Sequence, residues 1–414
     1  MVARIFAEQA WLGPGNFRRS VLVTFDKSGI RQVEQIPDGQ AAPGNCDRVD
    51  LLLPGFINAH CHLEYTWLAG RLPRGRMPFG EWMAAIMQSR PAGEEDARNC
   101  AEAMEAGSRA QLQGGAVGVW DSTTDGKSAG CLAADGLRCV QFLEVLGLSE
   151  DRARFFWERA QRLVATERHG VLAGYNPHAL YSVGQWLRNQ LRQCAEDRSM
   201  AWHLAETPDE EELFQRGTGS IAELFSEMGL PMPFDTPPGT SSFGLLQVEQ
   251  LAGRCDVAFH GNRLSAEEVR FFAAPRALVH CPGTHRWFDR EPIPLRQWLD
   301  AGVNVCLGTD SLASCDSLSM LDMVAWTLDD HPDVTLDELL TMACVNPRRV
   351  GFLGGQWGSG RLEAGQPADM IGLAFAGKTG DGEAALRGQL QSGGGCVQKV
   401  WTGGVLRFDE LRAG

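Results

Sequence analysis

The stretch Pro54-Gly55-Phe56-Ile57-Asn58-Ala59-His60-Cys61-His62-Leu63-Glu64 decides the fold and the chemistry that we predict for this chain. It follows the apolar run Leu51-Leu52-Leu53, and the two together predict a buried strand, because short apolar runs bounded by Pro-Gly are typical of strands. Side chains alternate between the faces of a strand, so His60 and His62 point the same way. Two imidazoles on one face can share a metal ion such as zinc, iron, nickel or copper.

The composition restricts the kinds of partner. A net charge of -14 argues against a nucleic-acid-binding face and against an anionic membrane surface, since both require basic residues. No apolar run reaches the roughly 18 residues of a membrane-spanning helix. The 12 cysteines include no Cys-x-x-Cys pair, and no basic segment followed by an apolar one opens the chain. We therefore expect a reduced, cytoplasmic protein with a small-molecule substrate, no nucleic-acid or membrane partner, and a homodimer as one allowed state.

Apolar strands alternate with amphipathic segments through the middle of the chain, which predicts an α/β fold made of βαβ units. The predicted strands are Leu51–Asn58, Ala116–Asp121, Cys139–Val145, Val171–Pro177, Met200–Leu204, Asp256–His260, Ala277–His280 and Val303–Leu307. Helical spacing of apolar residues occurs between them in Phe79–Leu112, Arg152–Arg168, Gln185–Glu196 and Ser265–Phe272. Strand-helix repeats in this number predict a (β/α)8 TIM-like barrel.

The two ends of the chain have a different pattern. Residues 1–53 contain short apolar runs separated by turns, and residues 352–414 contain a second set that follows Gly365-Gln366-Pro367-Ala368-Asp369-Met370-Ile371. Neither set can bury much apolar surface alone. We therefore expect the ends to pair as a small discontinuous β-sandwich domain, with the barrel over residues 54–351.

A TIM barrel places its catalytic groups at the carboxyl ends of the strands. The predicted strand ends here carry metal-binding and titratable side chains, namely His60, His62, Asp121, His178, His203, His260, His280 and Asp310. The imidazoles of His60, His62 and His203 with the carboxylate of Asp310 would leave room for a water, as in a catalytic metal site. The expected cofactor is one divalent ion, zinc first, with iron or manganese also fitting.

Proton transfer is predicted to depend on Glu206, three residues after His203. It could reach both the water on the metal and a ring nitrogen of the substrate, acting as general base and then general acid. His260 could orient the attacking water, and Asp310 could pass a proton to the leaving group.

Structural interpretations of the same residues stay open. Glu206 and Asp310 are candidate helix caps, ahead of Pro208 and Leu312 respectively. His260 and His280 are each compatible with an ordinary hydrogen-bonded histidine at a strand end.

No lysine lies on the predicted fourth strand, where two-metal barrels often carry a modified lysine that bridges the metals. We therefore expect a single metal. Activation by one metal favours deamination of an aromatic amidine over hydrolysis of a phosphotriester, which commonly uses a metal pair.

The chain resembles the amidohydrolase superfamily over nearly its whole length. The motifs that carry the resemblance, in order, are Pro54 to His62, His203-Leu204-Ala205-Glu206, His260, His280-Cys281-Pro282 and Gly308-Thr309-Asp310-Ser311-Leu312-Ala313-Ser314. They are most similar to the branch that holds cytosine, guanine and adenosine-type deaminases, S-adenosylhomocysteine deaminases, triazine hydrolases and aminodeoxyfutalosine deaminase. The resemblance implies metal ligation by His60, His62, His203 and Asp310, proton shuttling by Glu206, contact of His260 with a water or carbonyl oxygen, and substrate contact by His178.

Within that branch, three segments are similar to aminodeoxyfutalosine deaminase-like members: His62-Leu63-Glu64-Tyr65, Pro78-Phe79-Gly80-Glu81-Trp82-Met83 and His280-Cys281-Pro282-Gly283-Thr284-His285. Many relatives carry Ser-Asn in place of Thr284-His285. Glu64 and Glu81 are candidates for binding sugar hydroxyls, and each is equally compatible with a structural or solvated charge. The remaining pocket candidates are Trp82, Arg263 and His280, because an indole can stack on a purine and an arginine can bind a carboxylate.

Our first hypothesis is therefore a metal-dependent hydrolase that replaces an exocyclic amine of an adenine-type ring by oxygen. A second keeps the same site but acts on a triazine-like, guanine or cytosine ring, or on another C–N or C–Cl bond. A third, from another class, is a metal-free barrel that serves as a scaffold; such a protein would be expected to have lost a ligand or the shuttle, and all five positions are filled.

Overall fold

The computed structural model describes residues 2–37, 40, 43–165, 171–194, 198–376 and 383–412. The ends of two predicted helices, at Arg168 and Glu196, lie outside the described residues. The strands are β1 Ala3–Trp11, β2 Phe17–Asp26, β3 Gly29–Gln35, β4 Asp47–Pro54, β5 Phe56–Cys61, β6 Ala116–Thr123, β7 Arg138–Glu144, β8 Leu172–Asn176, β9 Ala201–Leu204, β10 Val257–His260, β11 Ala277–His280, β12 Val305–Leu307, β13 Met370–Phe375, β14 Gly395–Thr402 and β15 Val405–Asp409.

The α-helices mostly follow the strands of the central region. They are α1 Phe79–Gln88, α2 Gly93–Gln113, α3 Ser128–Ala134, α4 Glu150–Val164, α5 Gln185–Gln193, α6 Pro208–Arg216, α7 Ser220–Glu227, α8 Ser242–Val248, α9 Pro282–Trp287, α10 Leu295–Asp300, α11 Met320–Asp330, α12 Leu336–Leu340 and α13 Glu383–Gln391. In the part of the chain that the structure describes, none of them is both long enough and apolar enough to cross a bilayer.

The central strands form two parallel sheets of four, in the orders β5-β6-β7-β8 and β9-β10-β11-β12. Single parallel bridges join the two sheets at both sides: Cys61 pairs with Asp310, and Tyr175 pairs with Met200. All strands in each sheet therefore run the same way, and their carboxyl ends meet at one edge. The predicted α/β architecture with a parallel sheet is confirmed.

Both ends of the chain contribute to one further sheet of seven strands, ordered β15-β14-β13-β4-β1-β2-β3. This sheet is strongly curved. The rings of Phe25 on β2 and Trp401 on β14 lie 6.2 Å apart although three strands separate β2 from β14. In a flat sheet, with strands about 4.8 Å apart, those two strands would be about 19 Å apart.

The structure corrects the predicted first strand of the barrel. Leu51–Leu53 belongs to β4, which pairs with β1 and β13 in the terminal sheet, whereas the histidines belong to β5. Gly55 separates the two strands, and a Cβ at this position would lie 2.2 Å from Val117 Cγ1. An apolar run continues across the junction because residues 51–54 of β4 and all of β5 are buried, so periodicity alone could not locate the break.

Two predicted helices also differ from the structure. Phe79–Leu112 is two helices, α1 and α2, which are interrupted around Pro91, because proline disfavours helical backbone at the residue before it. Ser265–Phe272 contains only a short 3-10 turn at Glu268–Phe272. Neither difference affects the strands that carry the candidate site.

Candidate metal centre and active site

Three imidazoles and one carboxylate from different strands converge at the carboxyl edge of the two parallel sheets. His60 is on β5, His62 follows it, His203 is on β9 and Asp310 follows β12. The Nε2 atoms of His62 and His203 lie 3.1 Å apart. Asp310 Oδ1 lies 3.6 Å from His60 Nε2 and 3.8 Å from His62 Nε2. The structure therefore brings the four predicted ligands together.

The unpaired ring nitrogens fit a metal cation. All three imidazoles are buried, and His60 Nδ1, His60 Nε2 and His62 Nδ1 have no hydrogen-bond partner among the described residues. Burial lowers the pKa of His60 and His203 well below its usual value and lowers that of His62 to about 3, with neighbouring imidazoles acting in the same direction. Buried polar atoms without a partner are costly, and a neutral imidazole is the form that binds metal.

Neighbouring groups orient the ligands. His203 Nδ1 lies 3.1 Å from the carbonyl oxygen of His178, which can only accept, so Nε2 of His203 is left free of hydrogen. Thr284 Oγ1 and Ser314 Oγ donate to Asp310 Oδ2 at 3.0 and 2.6 Å. Both hydroxyls therefore bind one carboxylate oxygen and leave Oδ1 for the cluster.

Asn58 connects the strand that carries His60 with the loop that carries Asp310. Its Nδ2 donates to Gln111 Oε1 and Thr309 Oγ1, and its Oδ1 accepts from the backbone amides of Thr309 and His60. Gly308 allows the close approach of the two segments, because a Cβ there would lie 2.9 Å from the backbone nitrogen of His60.

Backbone strain is concentrated at these strand ends. Ala205, His260 and Asp310 have φ values of 51°, 69° and 57°, in a region that residues other than glycine rarely occupy. Such conformations cost about 1–3 kcal/mol each and tend to occur at functional sites. Here they aim Glu206, His260 and Asp310 toward the metal-ligand cluster.

Glu206 lies beside the cluster in a buried, charged environment. Its Oε1 accepts from Nη1 and Nη2 of Arg290, each at 3.3 Å, and its Oε2 lies 3.8 Å from His260 Nε2. Burial raises the pKa of Glu206, and Arg290 acts in the opposite direction. Glu210 accepts from the backbone amide of Glu206 at 2.7 Å and so fixes the segment.

The helix-cap alternatives do not describe these residues. The cap of α6 is Thr207, whose side chain accepts from Glu210 N, and the cap of α11 is Ser319. Glu206 and Asp310 are instead buried next to the imidazoles.

A cavity opens over the cluster, and five predicted substrate or catalytic residues line it: His178, Trp82, Glu206, His260 and Asp310. His178 Nδ1 lies 2.9 Å from Ser182 Oγ, and the indole nitrogen of Trp82 donates to the carbonyl oxygen of Ala313. The remaining wall is largely apolar, formed by Phe79, Met83, Ile86, Met87, Leu146 and Phe156. A flat heterocycle fits such a wall.

The other substrate candidates lie elsewhere. Glu64 is half-buried and accepts hydrogen bonds from Thr123 and Thr124 in a neighbouring cavity, Glu81 is exposed in the first turn of α1, and Arg263 pairs with Glu211. His280 is buried against the rings of His285 and His331. The structure does not place these four on the cavity over the cluster.

Several residues of the site were not identified from the sequence. Arg290 contacts Glu206, Glu144 lies 3.4 Å from His62 Nδ1, and Arg90 and Arg152 line the mouth of the cavity. Glu144 ends β7, the third strand of its sheet, so its position at a strand end was the available signal. Arg90 lies in the loop after α1, Arg152 on α4 and Arg290 in the loop after α9, and no motif distinguished these three positions.

Comparisons with known proteins show which proteins this chain is similar to. The profile of the amidohydrolase family matches residues 51–407. The adenosine deaminase of Helicobacter pylori is 25% identical over 345 residues, which cover 81% of this chain and 82% of that protein. The 5-methylthioadenosine/S-adenosylhomocysteine deaminase of Haloarcula marismortui is 28% identical over 378 residues, with 85% and 79% covered.

Solved structures share the fold. The aminofutalosine deaminase of Helicobacter pylori, in complex with methylthio-coformycin, superposes with a TM-score of 0.79 at 21% identity, covering 98% of this chain and 99% of that one. An adenosine deaminase of Xanthomonas campestris with bound zinc gives a TM-score of 0.75 at 21% identity, covering 99% and 93%.

Proposed function

The chain belongs to the amidohydrolase family, and from this premise we propose that it is a metal-dependent deaminase of an adenine-type nucleoside. The observation that carries the proposal is the convergence of His60, His62, His203 and Asp310 beside Glu206 under an apolar cavity. The relatives named for deamination of adenosine and of its thioether derivatives support the same reaction. The reaction adds water to the amine-bearing ring carbon and releases ammonia.

The proposed cofactor is one divalent ion, zinc in the first instance, with iron or manganese as the other metals to test. His60, His62, His203 and Asp310 would hold it. When bound, such an ion acidifies a coordinated water and so supplies the nucleophile at neutral pH. The zinc in the Xanthomonas campestris structure supports this choice of metal.

The protein's own groups move the protons. Glu206 takes a proton from the attacking water and delivers it to the ring nitrogen next to the amine-bearing carbon. His260, 3.8 Å from Glu206, orients the water by hydrogen bonding. Asp310 assists transfer of a proton to the departing amine, which leaves as ammonia while the ring carbon gains a carbonyl oxygen. The apolar wall excludes bulk water and accommodates the purine face.

The mouth of the cavity supports a substrate with an anionic tail. Arg90 and Arg152 both line it, and neither has a carboxylate partner among the described residues. Burial and the nearby charge of Arg90 lower the pKa of Arg152. The like charges of these two exposed side chains repel one another, and an anion bound between them would remove that repulsion; a carboxylate is an anion that guanidinium groups bind in a planar, bidentate way. This favours an acidic nucleoside, of the aminodeoxyfutalosine or S-adenosylhomocysteine kind, over adenosine.

For the remaining substrate contacts, we propose that His178 and Trp82 touch the nucleoside, since they line the cavity. Glu64, Glu81 and Arg263 stay in the proposal only as contacts to parts of the substrate that extend beyond this cavity, whereas His280, buried against His285 and His331, is not proposed as a contact. Among these residues, Glu64 is best placed to contact an extended substrate. It lines a neighbouring cavity, and Arg90 and Arg152 line both that cavity and the one over the cluster.

We also propose the finer architecture. The bridges between Cys61 and Asp310 and between Tyr175 and Met200 support closure of the two parallel sheets into one (β/α)8 barrel over residues 54–351. The contact of Phe25 with Trp401 supports a small β-sandwich made of residues 1–53 and 352–414.

All 12 cysteines are free thiols, which supports a reducing, cytoplasmic location. A homodimer can be tested by light scattering.

Ammonia release from a panel of substrates tests the function. The panel holds adenosine, 5-methylthioadenosine, S-adenosylhomocysteine, aminodeoxyfutalosine, guanine, cytosine and an aminotriazine. We expect release from adenine-type nucleosides, with the carboxylate-bearing ones preferred. Replacing Arg90 and Arg152 together by glutamine should raise the KM for those substrates about 10- to 100-fold and leave that for 5-methylthioadenosine unchanged. Ammonia release confined to guanine, cytosine or the triazine would contradict the proposal.

A further inference from the structure

Glu144 is a buried carboxylate that the reaction above does not use. It ends β7, it is 2% exposed, and its Oε1 has no hydrogen-bond partner among the described residues. It lines the cavity over the cluster. An unpaired carboxylate is expensive to bury, so its position calls for a partner.

The nearest candidate partner is His62, whose Nδ1 lies 3.4 Å from Glu144 Oε1 and is likewise without a hydrogen bond in the described structure. A small rotation of either side chain brings this pair to hydrogen-bond length. The opposite edge of the imidazole, at Nε2, faces His203 and Asp310. The ring of Tyr65 stacks on that of His62 with centroids 5.4 Å apart and limits its tilt.

We propose that Glu144 is a positioning residue for the metal centre: it accepts a hydrogen bond from Nδ1 of His62 and thereby holds the Nε2 lone pair toward the cation. The inference rests on the proposed function. The ring of His203 is oriented in a comparable way, but by an uncharged acceptor: its Nδ1 faces the carbonyl oxygen of His178. A carboxylate in this role fixes the tautomer and makes the imidazole a stronger ligand.

The charges of the centre agree with this role. Three neutral imidazoles and the carboxylate of Asp310 leave one positive charge when a divalent ion is bound. Glu144, on the side of the His62 ring away from the other ligands, would compensate that charge without itself being a ligand.

Glu144 could alternatively bind a second cation, because its carboxylate lies within 4.8 Å of ring nitrogens of His178 and His203. The geometry favours the positioning role. His203 Nδ1 faces the His178 carbonyl oxygen, and its Nε2 already faces His62 Nε2 at 3.1 Å, so a second cation would compete for that one lone pair.

Metal affinity tests the proposal without relying on turnover. Zinc affinity is measured by competition with a chromogenic chelator in the wild type, Glu144→Ala and Glu144→Gln, and the cobalt-substituted proteins are compared by visible absorption. We expect the affinity to fall about 10- to 100-fold in Glu144→Ala, with a smaller loss in Glu144→Gln, whose amide oxygen can still accept from His62. The cobalt bands should shift in both variants.

Thermal unfolding of the metal-free proteins provides the control for folding. The metal-free Glu144→Ala protein should unfold no earlier than the metal-free wild type. Wild-type zinc affinity and an unchanged cobalt spectrum in Glu144→Ala would overturn the proposal, and so would two ions per wild-type chain with one lost in the variant. If the wild type itself binds no metal, the proposed function fails with it.

Discussion

Glu206 and Arg290 form the contact on which the proposed proton transfer depends. The carboxylate is buried beside His260, and the guanidinium is its charged partner. A general base works best when its pKa lies near the working pH, and burial and Arg290 move the pKa of Glu206 in opposite directions.

Replacing Glu206 by glutamine should preserve metal binding and reduce kcat by a factor on the order of 100 to 10,000, which is the usual contribution of a positioned proton carrier. Metal content and ammonia release are measured on the same preparation. Glu212→Gln, on the adjoining helix α6, is the matched control and should behave as the wild type. A Glu206→Gln enzyme with a nearly normal rate would remove the residue from the mechanism.

Replacing Arg290 by methionine should move the acid limb of the pH profile to higher pH. The positive charge of Arg290 holds the pKa of Glu206 down, so removing it raises that pKa further. The base must be ionised to accept a proton, and a higher pH is then needed to ionise it. The measurement is kcat/KM against pH; a limb that stays in place or moves to lower pH contradicts the assignment.

The residues proposed to bind the metal could be identified from the sequence, whereas the residues that contact and orient them could not. His60 and His62 share a face because side chains alternate along a strand. His203 and Asp310 lie at the carboxyl ends of β9 and β12, which belong to one parallel sheet. Arg290 reaches Glu206 across 84 positions of sequence, from a loop without periodicity. Contacts of this kind depend on how loops fold over the strand ends, which no spacing rule encodes.

At the scale of elements, Asn58 joins β5 to the loop after β12. Its side chain makes hydrogen bonds with Gln111, Thr309 and the backbone of His60, all in a buried setting. Two ligands of the proposed centre, His60 and Asp310, are therefore held in register by one amide.

Replacing Asn58 by alanine should lower the free energy of unfolding by about 2–4 kcal/mol, because several buried polar groups lose their partners. It should also weaken zinc binding, since the two ligand-bearing segments are no longer held together. Asn304 is the matched control: it is buried just before β12, at the opposite end of that strand from Asp310, and bonds to the carbonyl oxygens of Arg276 and Asn346.

Asn304→Ala should destabilise the fold and leave zinc affinity unchanged. Chemical denaturation and chelator competition separate the two effects. Equal losses of zinc affinity in both variants would assign Asn58 a general structural role only.

The sequence predicted which segments form strands more accurately than it predicted the residues at which those strands begin and end. β11 agrees with the sequence at both ends, because its apolar run is bounded by polar or turn residues on each side. The break between β4 and β5 was missed, since residues 51–54 of β4 and all of β5 are buried on both faces and the apolar pattern runs through Gly55. Burial on all sides removes the alternation on which such limits depend.

At the scale of the whole molecule, the first and last segments of the chain form one sheet. Lys399 on β14 illustrates how the two ends are joined: its ammonium donates to Asp47 at 3.0 Å and to Asp409 at 3.0 Å. Asp47 opens β4 and Asp409 ends β15, so a single buried cation connects segments from both ends.

Replacing Lys399 by methionine should lower the free energy of unfolding by about 2–4 kcal/mol, because the buried carboxylate of Asp409 loses its buried countercharge and keeps only the exposed Arg412. The rate per metal-loaded molecule should not change, since the site lies on the other sheets. Arg31→Gln, which removes an exposed ion pair with Asp26 in the same sheet, is the control and should cost at most about 1 kcal/mol. A loss of turnover in metal-loaded Lys399→Met would contradict this separation of stability from catalysis.

The central claim is that His60, His62, His203 and Asp310 hold one catalytic cation. Its most direct test is the metal content of the purified protein, measured together with ammonia release from an adenine-type nucleoside before and after chelation. The account predicts about one equivalent of transition metal per chain, loss of ammonia release on chelation and its return with zinc, iron or manganese. Less than about a tenth of an equivalent, with no activity after any of these metals is added, would contradict it and favour the scaffold.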